Sequence, residues 1–247
     1  MNKRHLQILD LLTKYKKIEV TKLSEVLGVS QVTIRKDLAA LESMGTVVRE
    51  HGYATLNNSD DINTRLAYNY ETKQEIAKRA VESIKDGETI IIESGSCCAL
   101  VALEIAKTKK DVTMITNSAF IADYIRKYST VKIVLLGGEY QNESQVMVGP
   151  MVRKCVEGFF VDKLFLGIDG FTFETGFTGR DYMRGEAIRD MAKQASNVIV
   201  VADSGKFGQK GVVGLLDTSR ISKVYTDDGI PAEYEEYLKE KNIEVIK

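Results

Sequence analysis

Histidine and cysteine are scarce in this chain, with two of the first and three of the second in 247 residues. Cys97 and Cys98 are adjacent and Cys155 stands far off, so there is neither a disulfide framework nor a C-x-x-C pair, as expected of a reducing compartment. With only His5 and His51 to add, no zinc site of the usual ligand spacing is expected, and no other metal or cofactor is implied. No apolar run approaches the roughly 18–20 residues that span a bilayer. The polar start MNKRHLQ lacks the apolar stretch of a secretory signal, so a cytoplasmic protein without a membrane partner is expected. Net charge is nearly absent too, at −1. It is unevenly spread: residues 1–56 hold nine Lys and Arg against six Asp and Glu, which leaves the remainder acidic. A basic front end fits an anionic partner, although a solvated face has the same composition.

What is present is an apolar content of 44%, enough for one large core or for a small domain followed by a medium one. In RHLQILDLLTKY, Leu6, Ile8, Leu9 and Leu12 recur at helical spacing. In VTKLSEVLGVSQVTIRKDLAALESMG, Thr21 is placed to cap a short helix that Gly28 ends, and Ser30 to cap a second. Two helices joined by about three residues make a helix-turn-helix candidate. The second helix gathers Ile34, Leu38 and Leu41 on one face and Val32, Arg35, Lys36 and Ala39 on the other. An outward valine between cations suits a DNA major groove, where arginine reaches guanine, valine packs on a thymine methyl and the helix start faces a phosphate. A solvated face of a small bundle remains the alternative from this helix alone.

The next segment, TVVREHGYATL, reads as two short strands, 47–49 and 54–56, around a turn at His51-Gly52 with Arg49 near the tip, which is the shape of a wing. The candidate contacts to double-stranded operator DNA are therefore Ser30, Gln31, Val32, Thr33, Arg35, Lys36, Arg49 and His51. Residues 57–71 begin with the polar NNSDDINT and read as a linker between a head at 1–56 and a body at 72–247. One head offers too little interface for strong specificity, so a homodimer or homotetramer reading paired half-sites is expected.

From residue 72 helices and strands alternate. Thr72 and Glu75 have capping-box spacing ahead of Ile76, Ala77, Ala80, Val81 and Ile84. Apolar strands are expected at 89–92, 112–115, 131–136, 163–168, 198–202, 223–226 and 243–246, which argues for an α/β body with a mostly parallel sheet covered on both faces. Small or glycine-rich stretches follow five of them: SGSCC, TNS, GG, DG and ADSGKFG. Ligands of such sheets sit at the carboxyl ends of the strands. In SGSCC, Gly95 and Ser96 permit close backbone approach, and a helix starting near Ala99 aims free N–H groups at the same place, which suits a phosphate. Lys206 is the cation best placed to share it. A nucleophilic Cys97 or Cys98 needs a base or cation to lower its pKa, and neither histidine falls in the body.

These segments resemble the DeoR-type bacterial repressors, in which a winged helix-turn-helix head precedes a sugar-phosphate-sensing domain. The resemblance covers essentially the whole chain, through LGVSQVTIRKDLAALESMG, REHGYA, TNS, LLGG, DKLFLGIDG, GFTGRDYMRGEA and ADSGKFG, and within the family it looks closest to the repressors of polyol operons such as glucitol's. It implies a body similar to ribose-5-phosphate isomerase and the coenzyme A transferases, and a phosphorylated sugar or polyol as effector. It places the phosphate on Gly95, Ser96 and Cys97, with Asn117, Gly138 and Lys206 around it and Asp169, Thr178 and Glu186 near the sugar hydroxyls. Two departures stand out. Cys97 and Cys98 replace residues that often carry hydroxyls, and Tyr53 replaces the second glycine of the wing's usual His-Gly-Gly, which puts the turn geometry in question. A sugar-phosphate isomerase with an accessory head is the competing reading, with Asp203 and Lys206 as its catalytic candidates.

Overall fold

The computed structural model describes residues 2–57 and 60–247, which divide into two compact units, one through Tyr70 and one from Glu71 onward. The first unit runs α1 (Lys3–Tyr15), β1 (Lys17–Glu19), α2 (Val20–Leu27), α3 (Gln31–Ser43), β2 (Val47–Glu50), β3 (Tyr53–Leu56) and α4 (Ile62–Ala67). Its core joins Ile8, Leu9 and Leu12 of α1, Leu23 of α2, and Ile34, Leu38 and Leu41 of α3, with Val47 and Ala54 closing it from the sheet; Leu6 is only partly buried. Asn2 caps α1 and Ser30 caps α3, while Gly28 ends α2 at φ +64°. Thr21 does not cap α2. The helix starts a residue earlier, and its first amide, that of Val20, donates to Gly52 O at 2.9 Å, so a wing carbonyl takes the cap's place.

Strands β2 and β3 pair antiparallel around His51 (φ +44°) and Gly52 (φ +86°). Two central residues at positive φ are what a two-residue turn of right-twisting strands demands. Tyr53 lies in β3 rather than in the turn, so its replacement of glycine leaves the turn intact. The short β1 adds to the free edge of β3. The segment read as a linker, 57–71, contains the short helix α4. Asp61 caps α4 by accepting from Thr64 N at 3.0 Å, Ile62, Leu66 and Ala67 are buried, and Ala67 joins the core of the first unit. Two residues of that segment, Asn58 and Ser59, lie outside the described residues, as does Met1.

The second unit runs α5 (Tyr70–Glu82), β4 (Thr89–Ile92), α6 (Ser96–Thr108), β5 (Val112–Thr116), α7 (Ala119–Ile125), β6 (Val131–Leu135), β7 (Glu139–Gln141), β8 (Val146–Val148), α8 (Pro150–Val156), β9 (Val161–Leu166), β10 (Gly170–Thr172), β11 (Gly176–Gly179), α9 (Tyr182–Ala192), β12 (Ala195–Val201), β13 (Val213–Gly214), β14 (Ile221–Tyr225), α10 (Ala232–Glu240) and β15 (Glu244–Ile246). Helix α5 already includes Thr72, so that residue is not its cap; Ile76, Ala77, Ala80 and Val81 are buried as its spacing requires. Seven strands form one sheet in the order β15-β14-β12-β9-β4-β5-β6, every pair parallel. Successive residues such as Ile90, Ile91 and Ile92 are all buried, as both faces of a covered sheet require. From β4 the chain builds outward through β5 and β6, then returns to place β9 on the other flank of β4. The order therefore reverses between β4 and β9, where such sheets open a crevice at their carboxyl edge. Among the described residues no helix is long and apolar enough to cross a membrane.

Candidate functional site

In the first unit, burial of Ile34, Leu38 and Leu41 turns the opposite face of α3 outward: Val32 is 60% exposed, with Arg35 and Lys36 exposed beside it. Gln31 and Thr33 complete the first turn, where the Ser30 hydroxyl accepts from Thr33 N at 3.2 Å and Gln31 Oε1 accepts from Arg35 at 3.3 Å. Buried Asp37 ties this helix to α1. Its carboxylate accepts from Arg4 and lies 3.2 Å from His5 Nε2, and the Arg4 hydrogen bond holds its pKa below the ordinary range. His51 is exposed at the wing turn. Arg49 is turned elsewhere: its Nε donates to Glu42 Oε2 on α3 at 2.7 Å, with Nη2 on the same oxygen.

In the second unit, the crevice at the carboxyl edge is organised by a residue that sequence reasoning passed over. Buried Glu93 accepts from Gly95 N at 2.8 Å, from Gly167 N at 3.2 Å and from the Ser94 hydroxyl at 2.7 Å. It thereby joins the loops after β4 and β9. The amide of Gly95 is consequently directed at Glu93 rather than at a ligand. Helix α6 starts at Ser96, not near Ala99; its first intrahelical bond is Ala99 N to Gly95 O at 2.9 Å, and no side chain caps it. The amides of Ser96, Cys97 and Cys98 are the ones its first turn presents.

Cys97 is buried, and burial pushes its thiol up to about 11, while nearby Lys73 and Lys206 pull it down and Asp203 pushes it up. Lys73, Asp203 and Lys206 are thus the charged groups whose fields act on Cys97. Cys98 is raised too, by burial and then by Glu93. Neither thiol is a nucleophile near neutral pH. Lys73 went unnoticed, yet its spacing from Ile76, Ala77 and Ala80 puts it on the buried stripe of α5, and a buried ammonium there is the signal.

Asn117 and Gly138 meet at β8. The Asn117 side chain donates to Met147 O at 3.0 Å, and a Cβ built on Gly138 would lie 2.5 Å from Val148 O, so no larger residue fits. Asn117 Oδ1 and Asp203 Oδ2 are buried without a hydrogen-bond partner. The remaining candidates are already engaged. Asp169 accepts from Arg180 N at 3.0 Å; the Thr178 hydroxyl donates to Gly170 O at 3.0 Å and accepts from Gly211 N at 2.8 Å; Glu186 pairs with Arg189 one turn along α9. Among the described residues no cluster of three His, Cys, Asp or Glu side chains is placed to hold a metal.

Residues 4–60 match the family model of the DeoR-like helix-turn-helix domain, and residues 68–228 match that of the DeoR C terminal sensor domain. A putative aga operon transcriptional repressor of Escherichia coli O157:H7 is 33% identical over 99% of this chain and 93% of its own length. The regulator GolR of Listeria innocua is 31% identical over 92% of this chain and 91% of its own, and the glycerol-3-phosphate regulon repressor of Escherichia coli K12 is 28% identical over 98% and 97%. Among solved structures, ribose 5-phosphate isomerase A of Methanocaldococcus jannaschii aligns over 56% of this chain and 55% of its own at 22% identity and a TM-score of 0.41, too slight a likeness to carry an argument.

Proposed function

Since the chain belongs to the DeoR family of transcriptional repressors, we propose that it represses a sugar or polyol utilisation operon and is released from its operator by a phosphorylated sugar or polyol bound at the carboxyl edge of the sheet. The observation that carries the effector reading is the uncapped start of α6 at the β4/β9 reversal, with Lys73 and Lys206 as neighbours. Backbone amides and the Lys206 ammonium make an anion cradle. The unpartnered Asn117 Oδ1 and Asp203 Oδ2 are acceptors without donors, which the hydroxyls of a polyol supply. One relative carries a glycerol phosphate in its name, a phosphorylated polyol of this chemical class.

DNA is read by α3: Arg35 and Val32 on base edges, Lys36 and the Ser30–Thr33 turn on phosphate, with His51 at the wing turn. A homodimer or homotetramer supplies paired heads. The isomerase alternative is disfavoured because the curated relatives named above are regulators. Thermal melting of the full chain against paired phosphorylated and unphosphorylated sugars and polyols tests the reading. Binding at 100 times the dissociation constant adds about 2.7 kcal/mol of stability. Equal stabilisation by both members of each pair, or turnover of any phosphate ester, refutes it.

A further inference from the structure

We propose that the wing is electrostatically silenced, so that it lowers affinity for DNA of arbitrary sequence and leaves attraction to α3; the inference rests on the DNA-binding reading above. Within residues 2–56 four cations are paired with carboxylates: Arg4 with Asp37, Lys14 with Asp10, Lys22 with Glu25, and Arg49 with Glu42. The carboxylates of residues 2–56 left without an ion pair are Glu19 and Glu50, on the two outer strands of the three-stranded sheet that the wing forms with β1. Register puts them in one row. Glu50 of β2 is directly opposite Tyr53 of β3, which is directly opposite Glu19 of β1. Ile18 and Ala54 of the neighbouring positions are buried, so the row occupies the outer face, and both carboxylates are exposed. The Tyr53 hydroxyl donates to Glu19 Oε1 at 2.5 Å, and Lys17 Nζ lies 4.6 Å from the Tyr53 ring centre.

Arg49 leaves the row as well. It alternates onto the core side, where Glu42 accepts from its side chain and, at 3.3 Å, from its backbone amide. A wing set against a phosphate backbone thus presents two carboxylates and one ammonium, with its arginine neutralised from α3. Repulsion from phosphate is felt on any sequence, whereas base contacts by α3 are made on the operator alone, so the arrangement widens the ratio between the two.

The test is binding of the full chain to a mixed-sequence duplex, titrated with salt, for wild type, Lys36→Ala, Glu50→Gln, Glu42→Gln and Glu42→Gln/Arg49→Ala. Glu50→Gln and Glu42→Gln each tighten binding several-fold at low salt, and freeing Arg49 steepens the salt dependence by about one phosphate's worth. The gain from Glu42→Gln vanishes in the double variant. Unchanged or weaker binding by Glu50→Gln and Glu42→Gln, with melting temperatures intact and wild type bound, overturns the inference alone. Absence of salt-dependent binding by wild type, with Lys36→Ala no different, overturns the DNA-binding reading and the inference with it.

Discussion

Gly95 and Gly167 approach so closely across the β4/β9 reversal that a Cβ built on Gly95 would lie 3.1 Å from the Cα of Gly167. Both amides point into the carboxylate of Glu93. A Cβ at either place would press on the other's backbone, and Glu93 gives the two amides and the Ser94 hydroxyl their acceptor. Glu93→Ala should lower the melting temperature by several degrees, since each orphaned group costs about 1–3 kcal/mol. Glu93→Gln, which keeps one acceptor oxygen, should lose less. Thermal unfolding of the two variants checks this, and a wild-type melting curve for Glu93→Ala would refute the clamp.

Thiol reactivity should separate the three cysteines. Cys97, pushed up to about 11, and Cys98, also pushed well up, are protonated at pH 8 and buried; Cys155 is partly exposed. Alkylation of the native protein should mark Cys155 first and spare the other two until denaturant is added. Rapid native labelling at Cys97, located by peptide mass, would reverse the conclusion that the cradle holds no nucleophile.

Acid should loosen the head through Asp37. Its folded-state pKa is depressed by Arg4, so the stability it contributes is present above its ordinary value of 3.8 and is lost as pH falls through the lower folded value. Asp37→Ala should destabilise the head at neutral pH, because His5 Nε2 loses its partner in a buried place, and should flatten the loss between pH 4 and lower values. Unfolding monitored from pH 7 down to about pH 2.5 distinguishes the two chains.

The seven strands were legible because parallel strands covered on both faces are continuous apolar runs, as in TIII and VIVV. Strand β1 was not: Lys17–Glu19 is extended because it pairs with β3, and nothing within three residues announces that. The same holds for β7, β8 and β10, each only three residues long. Glu93 stood in plain view beside SGSCC, but its acceptor role is fixed by Gly167, 74 residues away. Arg49 was read as a wing-tip contact from its place in the hairpin, while its partner Glu42 lies on another element. Local chemistry thus suggested candidate residues, and long-range partners such as Glu42 and Gly167 decided which groups are already engaged.

Operator recognition should divide between two neighbours on α3. Arg35→Ala should cost about 1–3 kcal/mol of affinity for an operator selected from a random duplex pool, with discrimination lost at one position. Lys36→Ala should weaken all sequences alike and reduce the salt slope by about one. Unchanged operator binding by Arg35→Ala at fixed salt would remove that residue from base readout.

The cradle makes the sharpest demand on the effector response. A ligand releases DNA only if it binds the DNA-free state more tightly, because equal affinity for both states shifts nothing. Lys206 is carried on the loop after β12 in the second unit, whereas the proposed reading face belongs to the first. Lys206→Ala should therefore keep operator affinity and lose the response to a phosphorylated polyol, giving a repressor that is not induced. Cys97→Ser should keep or strengthen the response, since a hydroxyl is the better hydrogen-bond donor at the start of α6 and no thiolate is required. Operator binding titrated with sugar and polyol phosphates, for wild type and both variants, decides between cradle and thiol chemistry. If Cys97→Ser abolishes induction while Lys206→Ala retains it, the sulfur and not the anion site governs release.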